Sequence, residues 1–171
     1  ELTLQWVFQS RSLDKHEVTP LVVDGVMYTI QSPNTVIALD AVTGKSIWQY
    51  THMPGEGTRN PCCGSLTRGV AILGDKVFLG GLDTNMIALE AKTGKELWKV
   101  QIAEFKQQYA MTVAPLVIKD KVISGIAGGE RGVRGFLTAH DANTGKEVWR
   151  FYTVPGPGEA GYETWLGKDG K

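Results

Sequence analysis

The chain's only cysteines, Cys62 and Cys63, stand side by side in Asn60-Pro61-Cys62-Cys63-Gly64. They lack CxxC spacing and a nearby histidine pair, so they do not read as a zinc site. Two readings stay open from the residues alone: a pair of free thiols, or a disulfide between neighbours. The bridge is strained, because consecutive Cα atoms lie about 3.8 Å apart while ordinary disulfides prefer about 4.4 to 6.8 Å. Such strain is kept only where the surroundings impose it, typically at functional sites.

Other residues that could bind a ligand lie in loops. Arg68 occurs in Thr67-Arg68-Gly69-Val70, Glu17 in His16-Glu17-Val18-Thr19-Pro20, and Thr112 in Met111-Thr112-Val113-Ala114-Pro115. Each alone is either a solvated residue leading into a strand or a ligand group. The segment from Ser124 to Gly135 contains Ala127, Gly128, Gly129 and one carboxylate, Glu130. Its glycines permit close backbone approach by a ligand; the alternative is a hairpin tip with solvated charges. It does not have the GxGxxG spacing of a dinucleotide loop, and the Gly-Lys pairs elsewhere lack the earlier glycine of a phosphate-binding loop.

The elements that position these residues come from an internal repeat. Ala38-Leu39-Asp40-Ala41-Val42-Thr43-Gly44-Lys45-Ser46-Ile47-Trp48 recurs without gaps from Ala88 to Trp98 and from Ala139 to Trp149, placing the tryptophans 50 and then 51 residues apart. The acidic residue can accept backbone N–H bonds as one strand ends, and the glycine can take positive φ, so each copy reads as a hairpin. A second hairpin precedes it in each copy: Val22 to Tyr28, Ile72 to Phe78 and Val117 to Ile123. Each unit is thus four short antiparallel strands that must stack on neighbours to bury both faces. The fold class expected is all-β, a partial β-propeller of about three four-stranded blades, with Trp48, Trp98 and Trp149 packed between sheets as architecture.

The boundaries expected are residues 1–10 as the end strand of a preceding blade, blades at 17–50, 66–100 and 111–151, a loop 51–65 leading into the second blade, and a loop tail at 152–171. Closed propellers have about four to eight blades, so one incomplete domain is expected. Its open sheet edges predict self-association or completion by a further segment.

Composition removes several functions. Eighteen basic residues balance eighteen acidic ones with no long single-sign run, so no field gathers nucleic acid. No window approaches the apolar length of a membrane span, about eighteen residues. The first residues, Glu1 to Gln5, lack the basic start and apolar stretch of a signal peptide, as a processed chain would.

The Cys-Cys pair six residues before Arg68-Gly69, with Gly-Gly-Glu-x-Gly-Val-Arg-Gly from Gly128 to Gly135 and the Trp-closed repeats, resembles the pyrroloquinoline quinone (PQQ) dependent alcohol dehydrogenases, the methanol and ethanol dehydrogenase group. The resemblance runs over essentially the whole chain. It implies that Cys62 and Cys63 form a vicinal disulfide against one face of PQQ, that Glu17 and Arg68 bond to its polar edge, and that Thr112 holds a cofactor carboxylate. It implies close backbone approach at Ala127, Gly128 and Gly129, with Ala127 standing where some relatives carry a serine. Glu130 would be a ligand of the metal on PQQ, Ca²⁺ or a lanthanide, which polarises the quinone carbonyl.

The implied reaction is oxidation of a small alcohol to an aldehyde, with electrons passing to a cytochrome c or a quinone. The implied compartment is the bacterial periplasm, where a disulfide persists. In the family, the tryptophan that stacks on the other face of PQQ, a metal-binding asparagine and the aspartate proposed as general base lie beyond the region matching Thr164-Trp165. No catalytic base is therefore assigned in this chain, and Glu163 and Asp169 are not promoted to that role. The chain is expected to supply about half of the PQQ site. The contrasting reading is a non-catalytic propeller-repeat module of the bacterial envelope.

Overall fold

The computed structural model describes residues 1–55 and 64–165. It contains twelve strands in three four-stranded antiparallel sheets, plus three single-turn 3-10 helices. The first sheet runs β1 (Leu21–Val23), β2 (Val26–Gln31), β3 (Thr35–Asp40) and β4 (Ser46–Thr51). The second runs β5 (Ala71–Leu73), β6 (Lys76–Gly80), β7 (Asn85–Glu90) and β8 (Glu96–Gln101), and the third β9 (Leu116–Ile118), β10 (Lys121–Gly125), β11 (Phe136–Asp141) and β12 (Glu147–Tyr152). Within every sheet the strands pair in sequence order, each with the next, as expected of propeller blades.

Local chemistry sets the hairpins. Asp24 and Gly25 both take positive φ, the turn geometry that matches strand twist. At the second hairpin, Asp40 Oδ1 accepts from the Thr43 hydroxyl at 2.8 Å and from the Thr43 and Val42 amides. Those bonds, the Thr43 hydroxyl first, hold the Asp40 carboxyl below its ordinary pKa. Asp141 makes the same bonds to Thr144 and Asn143, and Glu90 substitutes by accepting from the Thr93 hydroxyl. A register shift recurs at the same place in each blade, at Ala38/Leu39, Ala88/Leu89 and Ala139/His140.

The core lies between the sheets. Tyr28, Ile30, Val36 and Ala38 of the first sheet meet Val77, Leu79, Ile87 and Leu89 of the second. The opposite face of the second sheet, through Phe78, Met86 and Ala88, packs on Met111, Val122 and Ala142. β6 and β7 are buried on both faces, which is why they read as nearly unbroken apolar runs.

The tryptophans act between blades. Trp48 Nε1 donates to Ala91 O at 2.9 Å and Trp98 Nε1 to Ala142 O at 3.1 Å, so each ring reaches into the next blade's β3–β4-type turn. The ring lies flat against that turn's glycine: a Cβ on Gly94 would stand 2.5 Å from Trp48 Cε3, and one on Gly145 2.8 Å from Trp98 Cε3. Residues 1–10, expected as an end strand, form no paired strand, because no neighbouring strand flanks them among the described residues. Trp6 nonetheless takes the same seat on the first blade, donating to Ala41 O at 3.1 Å and covering Gly44. Trp149, by contrast, is 39% exposed.

Antiparallel order puts the tight turns β1–β2 and β3–β4, and their counterparts, at one end of every blade. The β2–β3 connections, and the segments that leave one blade and lead into the next, lie at the other end. Glu17, Arg68, Thr112 and the loop holding Glu130 all occur in segments of that second end.

Candidate functional site

Three lead-in segments, preceding β1, β5 and β9, lie side by side. The Thr19 amide donates to Arg68 O at 3.4 Å, and the Arg68 amide to Thr112 O at 3.0 Å. Gly69 sits in the seam: a Cβ there would stand 3.3 Å from Ala114 Cβ and 3.5 Å from Thr19 O. A one-blade sequence offset thereby becomes lateral contact, and residues far apart in the chain meet on one edge.

That edge unites three of the sequence-derived candidates. Arg68 Nη2 lies 3.5 Å from Glu17 Oε2, with both side chains about half exposed. Arg68 Nη1 also points to Thr112 O, at 3.4 Å. A solvent-facing pair of this kind adds little stability; it sets a planar cation beside a carboxylate. Next to it the Thr67 hydroxyl is buried with no hydrogen-bond partner among the described residues, and buried polar atoms are rarely left so.

The glycine-rich loop is tied to the same edge. Ala127 and Ala110 exchange backbone hydrogen bonds of 2.8 and 3.1 Å, two residues before Thr112. Gly128 follows at φ +126°, where a Cβ would come within 2.7 Å of Gln108 O, so the position admits no side chain. Gly129–Arg131 then forms a 3-10 turn that lifts Glu130 outward. The Glu130 side chain is 48% exposed, with Arg131 Nε 3.6 Å from its Oε1. Glu130, Gly128, Ala127, Ala110, Tyr109 and Phe105 line a shallow cleft.

Tested against an anionic planar quinone bound to a metal, the residues fit the organic part. Arg68 supplies a cation for an acidic edge, Glu17 and Thr112 supply polar groups beside it, and the Gly128 backbone supplies a surface without a side chain. For the metal they supply one exposed oxygen donor, Glu130; no group of three or more His, Cys, Asp or Glu side chains gathers for a metal among the described residues. Cys62 and Cys63, expected as a vicinal disulfide, lie outside the described residues.

One feature of this end was not read from the sequence. His52, at the end of β4, and Asp83, between β6 and β7, are both buried and pair at 3.0 Å. Asp83 also accepts from the Gly55 and Asn85 amides, at 3.1 and 3.4 Å. Burial pushes the Asp83 carboxyl up, but the His52 hydrogen bond and charge, with the Gly55 amide, outweigh it and hold the pKa below its ordinary value. Gly81 makes room for the pair, since a Cβ there would meet both partners within 3 Å. The signal available was the contrast of Gly80-Gly81-Leu82-Asp83 with the first blade's Gln31-Ser32-Pro33-Asn34.

Residues 1–171 match the family model described as PQQ: glucose/ethanol/alcohol dehydrogenase, beta-propeller domain. Among curated proteins, quinohemoprotein alcohol dehydrogenase ADH IIB of Pseudomonas putida is 48% identical over 95% of this chain and 24% of its own length. Among solved structures, a europium-containing methanol dehydrogenase superposes with a TM-score of 0.84 at 43% identity, over 90% of this chain and 27% of that one. BamB from Moraxella catarrhalis, at 24% identity and a TM-score of 0.60 over 82% of this chain and 37% of that one, shares the fold alone. The chain spans about a quarter of the length of the curated dehydrogenases it matches.

Proposed function

Because this chain belongs to the PQQ glucose/ethanol/alcohol dehydrogenase β-propeller family, we propose that it contributes part of the cofactor site of a PQQ-dependent alcohol dehydrogenase, which oxidises a small alcohol to an aldehyde and passes the electrons to a cytochrome c or a quinone. The bacterial periplasm is its compartment in this reading, and the resident cation is Ca²⁺ or a lanthanide. The scaffold alternative has the fold behind it but not the identity: 24% to BamB against 48% to a dehydrogenase.

The observation that carries the proposal is the edge formed by Glu17, Arg68 and Thr112 across three adjacent lead-in segments, at the end of the blades that also bears Glu130. Arg68 holds an acidic group of the cofactor edge and fixes a positive charge where negative charge develops on reduction. Glu17 keeps that guanidinium oriented and accepts a hydrogen bond from the cofactor edge. Thr112 donates its hydroxyl to a cofactor carboxylate. Ala127, Gly128 and Gly129 let the ring system approach the backbone, and Glu130 offers a hard oxygen donor to the cation. A disulfide between Cys62 and Cys63 would cover one face of the ring. When bound, the quinone accepts the two electrons removed from the alcohol. No catalytic base is assigned to this chain.

Titration of the chain with PQQ in the presence of Ca²⁺ or La³⁺, followed by the quinone absorbance, tests the reading. Saturable one-to-one binding that R68Q weakens supports it. No binding at high PQQ concentration overturns it.

A further inference from the structure

Arg134 closes the glycine-rich loop, and it has no part in the edge described above. Its guanidinium carbon lies 3.8 Å above the centre of the Tyr152 ring. Gly156 lies close as well, since a Cβ there would be 3.4 Å from its Cζ, Nη1 and Nη2 alike. In the plane, Nε donates to Val154 O at 2.7 Å and Nη2 pairs with Glu159. Glu159 in turn accepts from the Gly156 amide at 2.9 Å. Thr153 N donates to Gly135 O at 2.9 Å, extending the β11–β12 ladder by one step. Tyr109, which lines the Glu130 cleft, donates its hydroxyl to Arg134 O at 3.4 Å. Val133 packs on Gly128, whose Cβ would stand 2.7 Å from Val133 Cγ2.

We propose that Arg134 is a positioning residue that clamps residues 153–159 onto the foot of the 126–135 loop and so holds Glu130 where it binds a hard cation. An isolated exposed ion pair would not do this. A planar cation stacked on an aromatic ring and bonded along its edge fixes an orientation, which lysine, a flexible point charge, does not. The Glu130 end of the loop is held by Gly128 and Val133, and the far end by Arg134, leaving Glu130 on a short span with both feet fixed.

The proposal rests on the cofactor reading above, and the test separates the two. Tb³⁺ is titrated into the full chain with PQQ present and followed by its luminescence, while PQQ affinity without metal is measured by absorbance. Loss of a group that orients a metal ligand typically weakens metal affinity about 10- to 100-fold. R134Q is therefore expected to weaken Tb³⁺ binding about tenfold and PQQ affinity much less, because the Glu17–Arg68–Thr112 edge is untouched and only the backbone contact at Ala127–Gly129 is shared. R134K should lose nearly as much, E159Q less, and the Thr153 and Gly156 amides should exchange faster in R134Q. E159Q carries the test if R134Q does not fold. Tb³⁺ affinity unchanged in the variants, or falling in step with PQQ affinity, overturns the role of Arg134 alone. An unaltered chain that binds no PQQ overturns the cofactor reading and this role with it.

Discussion

Gly94→Ala probes the contact on which blade stacking depends. Gly94 has φ +74°, and placing an L-residue in the left-handed region costs about 1–2 kcal/mol. The new methyl would lie 2.5 Å from Trp48 Cε3 and 2.7 Å from Cδ2. The ring cannot swing away freely, because Nε1 is bonded to Ala91 O and the indole packs against Tyr28 at 6.0 Å between centroids. Overpacking of this kind costs about 1–3 kcal/mol, for a sum of about 2–5 kcal/mol. Gly74→Ala is the control: its φ is +57°, but nothing lies within 4 Å of its Cβ position, so it carries the backbone strain alone. Urea unfolding followed by far-ultraviolet circular dichroism reads the difference. With a denaturant slope of about 1–3 kcal/mol per molar, G94A should unfold about 1 M urea earlier than G74A. Equal midpoints for the two variants would refute the idea that the indole is seated on this glycine.

Other outcomes follow from the same structure. Asp83 has a depressed pKa, so its contribution is full above the ordinary value of 3.8 and is lost as pH falls through the folded value; the unfolding midpoint should drop on acidification below about pH 4 in the unaltered chain and less in D83N, where the lowered Asp40 and Asp141 carboxyls still contribute. D83A, which strips His52 of its buried partner, should cost about 3–5 kcal/mol. W98S should destabilise by about 3–5 kcal/mol, whereas W149S, at an exposed ring, should cost under about 1 kcal/mol; denaturation midpoints measure both.

The repeat was legible because each copy spells its own turn chemistry: an acidic residue, a threonine, a glycine and a tryptophan at fixed offsets. That pattern located the hairpins and put Trp48 and Trp98 between blades. It could not say that the seat of each ring is the next blade's glycine, since that contact joins residues more than forty positions apart. Residues 1–10 carried the strand pattern, but a strand needs a partner, and what remains there is Trp6 in its seat. At the site, Glu17, Arg68 and Thr112 are legible as loop residues at the blade entries; their direct contact comes from the sideways alignment of the lead-in segments, a consequence of blade stacking. His52–Asp83 escaped notice because the partners are 31 residues apart and neither lies in a repeat motif. Arg134 was visible within Gly-Val-Arg-Gly, yet its partners Tyr152, Val154 and Glu159 lie in a segment whose glycines and prolines read only as loop.

In the proposed function one end of the blades binds the cofactor. Nitrogen-15-labelled chain titrated with PQQ and La³⁺ tests it amide by amide. Shifts are expected at Arg68, Gly69, Thr112, Gly128, Gly129 and Glu130, with the opposite-end glycines Gly25, Gly44, Gly74, Gly94 and Gly145 unmoved. Shifts clustered at those turns instead, or spread evenly over both ends, would contradict it.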